Sequence, residues 1–139
     1  RGAFGYDWDT RVVADVPPRP GIDWVYIPSK LAGQEICRIY AEHFGLSVPA
    51  LSFAQFVNPD VRPPHGVQQL SVSWQDAARA VRAALEVGTL PHAYEYFHIG
   101  TDLPHGVFCV EKAKRLLHWQ AVDRLESLTM RTTAGADGL

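Results

Sequence analysis

The sequence has no glycine-rich phosphate loop of either common kind: Gly2 and Gly5 do not form Gly-x-x-Gly-x-x-Gly behind a strand. It therefore has no evident helix N-terminus on which to cradle a dinucleotide pyrophosphate. It also has no Gly-x-Ser-x-Gly elbow, which removes the usual frame of a Ser/His/Asp hydrolase. There is no His-x-x-x-His and no Cys-x-x-Cys, and His92, His98 and His105 are irregularly spaced around turns. They read as surface and loop histidines, so no metal is expected. Two cysteines, Cys37 and Cys109, make no disulfide framework; buried thiols in a reducing cytosol are the default, and a cytoplasmic location is expected. With a net charge of -2 and no basic run, nucleic acid is not an expected partner. No apolar run approaches membrane-spanning length and no charged-then-apolar leader opens the chain, so no membrane partner is expected either. No internal repeat is present.

What is present suits an ordinary soluble globular domain. Of 139 residues, 47% are apolar and 20% charged, enough for one domain with a real core. Residues 1–128 are expected to form that domain and residues 129–139, small and polar from Thr129 onward, a flexible tail. The first residue is Arg1 rather than Met, which suggests a processed or partial chain. Arg1 to Gly21 is rich in Gly, Pro and Asp and reads as loop, with Arg11-Val12-Val13-Ala14 as a short extended piece.

The first strong helical signal begins at Tyr26. Leu31, Ile36, Ile39, Tyr40 and Phe44 alternate with Gln34, Glu35, Arg38 and Glu42, and Gly45 follows as a left-handed stop. Pro28 is tolerated only in the first turn. Residues 47–57 read as one strand with Pro49 near its start, followed by a polar turn-forming loop through Gly66. Residues 67–73 are a short extended piece. Residues 74–86 form an alanine-rich helix stopped by Gly88, with Asp76 in the first turn complementing the helix dipole. Residues 93–100 alternate as a strand, and residues 110–117 read as a helix.

Tyr26-Ile27-Pro28-Ser29-Lys30 carries the chemistry. Tyr-x-x-x-Lys puts phenol and ammonium on one helix face, roughly 6 Å apart along the axis. A cation beside a tyrosine favours the phenolate, and a phenol tuned in this way exchanges a proton with a substrate hydroxyl or carbonyl near neutral pH. The alternative is that both are ordinary helix-surface residues.

The run from Pro20 through Glu35, then Tyr40 and Phe44-Gly45-Leu46, resembles the extended short-chain dehydrogenase/reductases, the NAD-dependent epimerase/dehydratase family. There a proline-bearing loop leads into Tyr-x-x-Ser-Lys and a long helix ending before Gly-Leu and a strand. The likeness continues through the helix with Asp76, the strand ending His98-Ile99-Gly100 and the close at His118-Trp119, and covers nearly all of Arg11 to Leu125. His98 stands where the family has asparagine; Ser52 and Asn58 stand where it has arginine and glycine. The family's catalytic serine or threonine would fall upstream of Arg1.

The resemblance implies a partial Rossmann-like α/β fold lacking the N-terminal glycine-rich half. It implies NAD or NADP as cofactor and a sugar-type or other hydroxyl/carbonyl substrate. By the same resemblance Tyr26 would be the general acid/base, and Lys30 would support it and bind the nicotinamide ribose. Gln55, Arg62 and His65, on or just after the strand end, are candidates for substrate contact, loop solvation being their commoner role. A cut sheet leaves an unpaired edge, so a homo-oligomer or a completing chain is expected. The competing function is a degenerate relative serving as a binding or assembly module.

Overall fold

In the computed structural model of the protein, residues 26–61, 67, 70–103 and 107–125 are described. The expected extended piece at 11–14 and the tail at 129–139 lie outside them. The described elements are α1 (Tyr26–Phe44), β1 (Val48–Ser52), β2 (Gln55–Val57), β3 (Ser71–Ser73), α2 (Trp74–Glu86), β4 (Tyr94–His98) and α3 (Glu111–Leu117).

Local chemistry accounts for the helix ends. Pro28 falls in the first turn of α1, where its missing N–H breaks no intrahelical bond. Arg38 bridges Glu35 and Glu42 along the helix surface. Gly45 adopts φ +66°, and the Leu46 amide returns to the Ala41 carbonyl at 3.0 Å, closing the helix with the left-handed cap that glycine permits. Ser73 caps α2, its Oγ accepting from the Asp76 amide at 3.0 Å. At its other end α2 stops at Glu86, within the expected bounds and just before Val87 and Gly88. Val87 is the cap, in extended geometry, with its amide bonded to the Ala83 carbonyl at 2.9 Å.

β1 and β4 pair in parallel, from Val48 opposite Tyr94 to Ser52 opposite His98. Parallel neighbours need a long crossover, and residues 53–93, including α2, supply it. A second parallel pair joins β2 to β3, from Gln55 opposite Ser71 to Val57 opposite Ser73. Residues 47–57 are thus two strands rather than one, because the chain changes partner at Phe53-Ala54. The Ala54 amide reaches the Leu70 carbonyl, and β2 then follows β3 instead of β4. An apolar run reveals extended backbone but not where it switches partner. Among the described residues each sheet has two strands, so β1 keeps an edge without a ladder partner.

Alternation along β4 separates two faces. Glu95 and Phe97 are buried toward α3, where Lys112 Nζ lies 2.7 Å from Glu95 Oε2 and 5.5 Å from the centre of the Phe97 ring. Phe97, Val72, Ala77, Ala80, Leu90, Ile99, Ala113, Leu117 and Trp119 form the core between sheet, α2 and α3. Tyr94 sits on the other face, near Glu35 and Cys37 of α1, so the β1–β4 pair is flanked by helices on both sides. The burial of α1 is shallow: Ala41 is its one buried residue, and Ile36, Ile39, Tyr40 and Phe44 are about half exposed or more.

The Tyr94 hydroxyl is buried in the α1 seam with no hydrogen-bond partner among the described residues. Burial pushes its pKa up, with Tyr96, Cys37 and Glu35 adding smaller contributions in the same direction. A tyrosine with a raised folded pKa contributes stability that is complete below the unfolded value of about 10 and lost as pH rises through the folded value. Tyr94→Phe is therefore expected to be neutral or to stabilise by up to about 1 kcal/mol at pH 7, since it deletes an unsatisfied polar atom and keeps the ring. It should also flatten the loss of stability above pH 10. Urea titrations at pH 7 and pH 10.5 check this, and clear destabilisation at pH 7 would refute it.

Candidate functional site

The site is built from the N-terminal end of α1 and the carboxyl ends of the strands. Residues 45–47 join the C-terminus of α1 to the start of β1, so the helix runs back along the strand and Tyr26 lies toward the strand's far end. A 19-residue helix is about 28 Å long, against about 17 Å for a five-residue strand. The first turn of α1 therefore reaches past the ends of β1 and β4. In open parallel sheets, ligands bind in the crevice beyond those carboxyl ends.

Tyr26 and Lys30 are brought together there. Lys30 Nζ lies over the Tyr26 ring, 5.2 Å from its centroid. At an exposed site such a contact contributes about 0.5–1 kcal/mol. Ser29 Oγ donates to the Tyr26 carbonyl at 2.7 Å, tightening the first turn. Tyr26 is 58% exposed and Lys30 is exposed, so a ligand can reach both. An ammonium carries three donors and no acceptor. It suits a ribose hydroxyl or a developing negative charge on oxygen.

Gln55 begins β2 and is half-buried, its Oε1 accepting from Ser71 Oγ at 2.9 Å. That bond ties β2 to β3, and any substrate contact through the same oxygen must compete with it. Arg62 and His65 lie outside the described residues.

The strand ends hold residues that the sequence pattern marked only as departures from the family and not as site residues. Ser52 lies opposite His98 at the end of the β1–β4 ladder, and the Ile99 amide donates to the Ser52 carbonyl at 3.0 Å. His98 is buried, with its ring edge-on to Tyr96 (5.6 Å between centroids) and to Phe108 (5.1 Å). Beyond it, Leu70 takes φ +62°, a left-handed conformation unusual for a bulky residue. Gly100 meets it face on: a Cβ there would lie 3.0 Å from the Leu70 Cα, and the Thr101 amide bonds the Ser71 carbonyl at 2.8 Å. The crossing fastens the β2–β3 pair to the end of β4. The Ile99-Gly100 pair was the available signal, because glycine marks close backbone approach.

No protein-family model and no curated protein matches the sequence. Solved structures do resemble it. Glucuronic acid dehydrogenase from Chromohalobacter salexigens matches at 20% identity and TM-score 0.69, over 88% of this chain and 44% of that enzyme. Uronate dehydrogenase from Agrobacterium tumefaciens matches at 22% identity and TM-score 0.68, over 88% of this chain and 43% of the enzyme. A tyrosine-to-alanine variant of the Agrobacterium enzyme, complexed with NAD, matches at 21% and TM-score 0.68. The chain thus spans less than half the length of the dehydrogenases it resembles. At such identity the likeness establishes the fold, a parallel α/β arrangement corresponding to part of a Rossmann-like enzyme, and does not extend to the roles of Tyr26 and Lys30.

Proposed function

We propose that this chain is the catalytic-helix and substrate-side portion of an NAD(P)-dependent oxidoreductase, acting on a sugar-type hydroxyl or carbonyl. Uronic acids, the compounds named for the enzymes it resembles, are the first substrates to test. The observation that carries this reading is the exposed Tyr26 ring with Lys30 Nζ over it at the start of α1. Tyr26 Oη takes the proton of the substrate hydroxyl during oxidation and returns it during reduction. Lys30 stabilises negative charge on that oxygen and donates to the nicotinamide ribose. When bound, the nicotinamide supplies the hydride acceptor.

The residues present fit the ribose end of a dinucleotide and not its pyrophosphate, for which this sequence has no glycine loop. Calorimetry of this chain with NAD and NADP is therefore expected to give a Kd above roughly 1 mM, or about -4 kcal/mol at most. Micromolar affinity would show that the cofactor is held elsewhere on the chain.

A second reading, assembly, rests on the shallow burial of α1 and on an edge of β1 that has no ladder partner among the described residues. Half-exposed Ile36, Ile39, Tyr40 and Phe44 leave a wider apolar face than a monomer needs. They suit a second copy or a completing chain. Ile39→Glu should leave a monomer's stability within about 0.5 kcal/mol, because the site is already half exposed, yet it should dissociate an oligomer. Sedimentation of both proteins checks this, and an unchanged mass would remove the pairing. Among the described residues no helix is long and apolar enough to cross a membrane.

A further inference from the structure

Asp76 has no accessible surface, and its carboxylate is engaged well beyond what a helix-dipole role requires. Oδ1 accepts from Arg79, through Nε at 3.1 Å and also through Nη2, and from the Val122 amide at 2.9 Å. Oδ2 accepts from the Asp123 amide at 2.9 Å and from Ser73 Oγ at 3.3 Å. The Asp76 carbonyl accepts from Trp119 Nε1 at 3.1 Å. Three of these donors lie 43, 46 and 47 positions further along the chain.

Those distant donors belong to residues 119–125, which form no helix or strand. Buried Trp119 and Leu125 anchor the two ends of the segment, and Ala121 packs against the core. Among the described residues, the hydrogen bonds and ion pair that tie 120–125 to the rest converge on Ser73, Asp76 and Arg79. Ser73 Oγ bonds the Asp123 carboxylate as well as that of Asp76. One hydroxyl proton serves one acceptor at a time. Arg79, paired to Asp76 and 3.9 Å from Asp123 Oδ2, offsets the two negative charges.

We propose that residues 120–124 are a strap, latched onto the first turn of α2 by Asp76 between the buried anchors Trp119 and Leu125, and that the strap opens and closes as a unit without opening of the β1–β4 layer. Regions held by few bonds open at lower free energy than packed strands. Here the polar fastenings of the strap run through one side chain and its neighbours, whereas Phe97 and Ile99 are fully buried and β4 is laddered to β1. Because α2 starts directly after β3, the latch lies at the carboxyl end of β3. This inference does not depend on the proposed enzyme activity.

Asp76→Asn is the test. The variant keeps the shape but turns one acceptor into a donor. With Arg79, Val122 and Asp123 all offering N–H groups, either amide orientation sets donor against donor. Amide exchange at Val122 and Asp123 is expected to rise about tenfold or more, while Phe97 and Ile99 stay within about twofold of the parent. Asp123→Ala keeps both strap amides on Asp76 and should accelerate them much less. Equal acceleration of strap and β4, no acceleration at all, or an equal effect of Asp123→Ala would each overturn the latch. If Asp76→Asn does not fold, exchange of the parent protein in graded low urea decides. Strap amides opening before those of β4 support the proposal, and a single shared transition overturns it.

Discussion

Replacing Tyr26 by phenylalanine, in a protein where this chain is joined to a nucleotide-binding half, is expected to slow turnover at least about a hundredfold while leaving cofactor binding nearly unchanged. The substitution keeps the ring that lies under Lys30 Nζ and removes only the hydroxyl that would exchange the proton. Stability should hardly move, since Tyr26 is more than half exposed. Lys30→Ala makes the useful contrast. It removes both the positive charge beside the phenol and the donor assigned to the ribose, so affinity and rate should fall together. Steady-state kinetics on uronic acids, with cofactor affinity measured separately, distinguish these outcomes. A Tyr26→Phe enzyme with near-parental kcat would end the catalytic reading and leave the assembly reading standing.

Phe97→Ala should destabilise the fold by about 3–5 kcal/mol, the range for truncating a fully buried aromatic without complete collapse of the cavity. Phe97 has no exposed surface and packs in the cluster that joins β4 to β3, α2 and α3. Its ring also lies beneath the Lys112 ammonium that pairs with buried Glu95, so truncation removes packing from a charged pair as well as from the core. A loss of that size is a large part of the roughly 5–15 kcal/mol that stabilises a typical domain. Phe56→Ala is the control, because Phe56 is 53% exposed and its truncation should cost far less. Urea denaturation of both variants checks the contrast, and similar losses would mean that the core is centred elsewhere.

The helices were legible because their determinants are local. Periodicity over 26–44, the alanine-rich run over 74–86, a proline confined to a first turn and the glycine after Phe44 all act within one or two turns, and α1 and α2 have the bounds they indicate. β4 was legible for a similar reason, as a short alternating run between turns. The Tyr26–Lys30 juxtaposition follows from helix geometry once the helix is granted. For the remaining sites the sequence offered only residue types. Gln55 proved to be bonded to Ser71, sixteen positions away, and that bond depends on how β2 meets β3.

By itself, then, the sequence determined the element types, the helix bounds and the presence of the phenol–ammonium pair, all consequences of short-range sterics and hydrogen bonding. Only the tertiary structure decided the rest. It split 47–57 between two partners and set Leu70 left-handed against Gly100. It also made Asp76 the fastening point of a segment more than forty residues away. Each of these is a choice of partner between distant parts of the chain. Such choices are settled by which pairing satisfies buried polar groups while filling the core, a condition that no local window of residues contains.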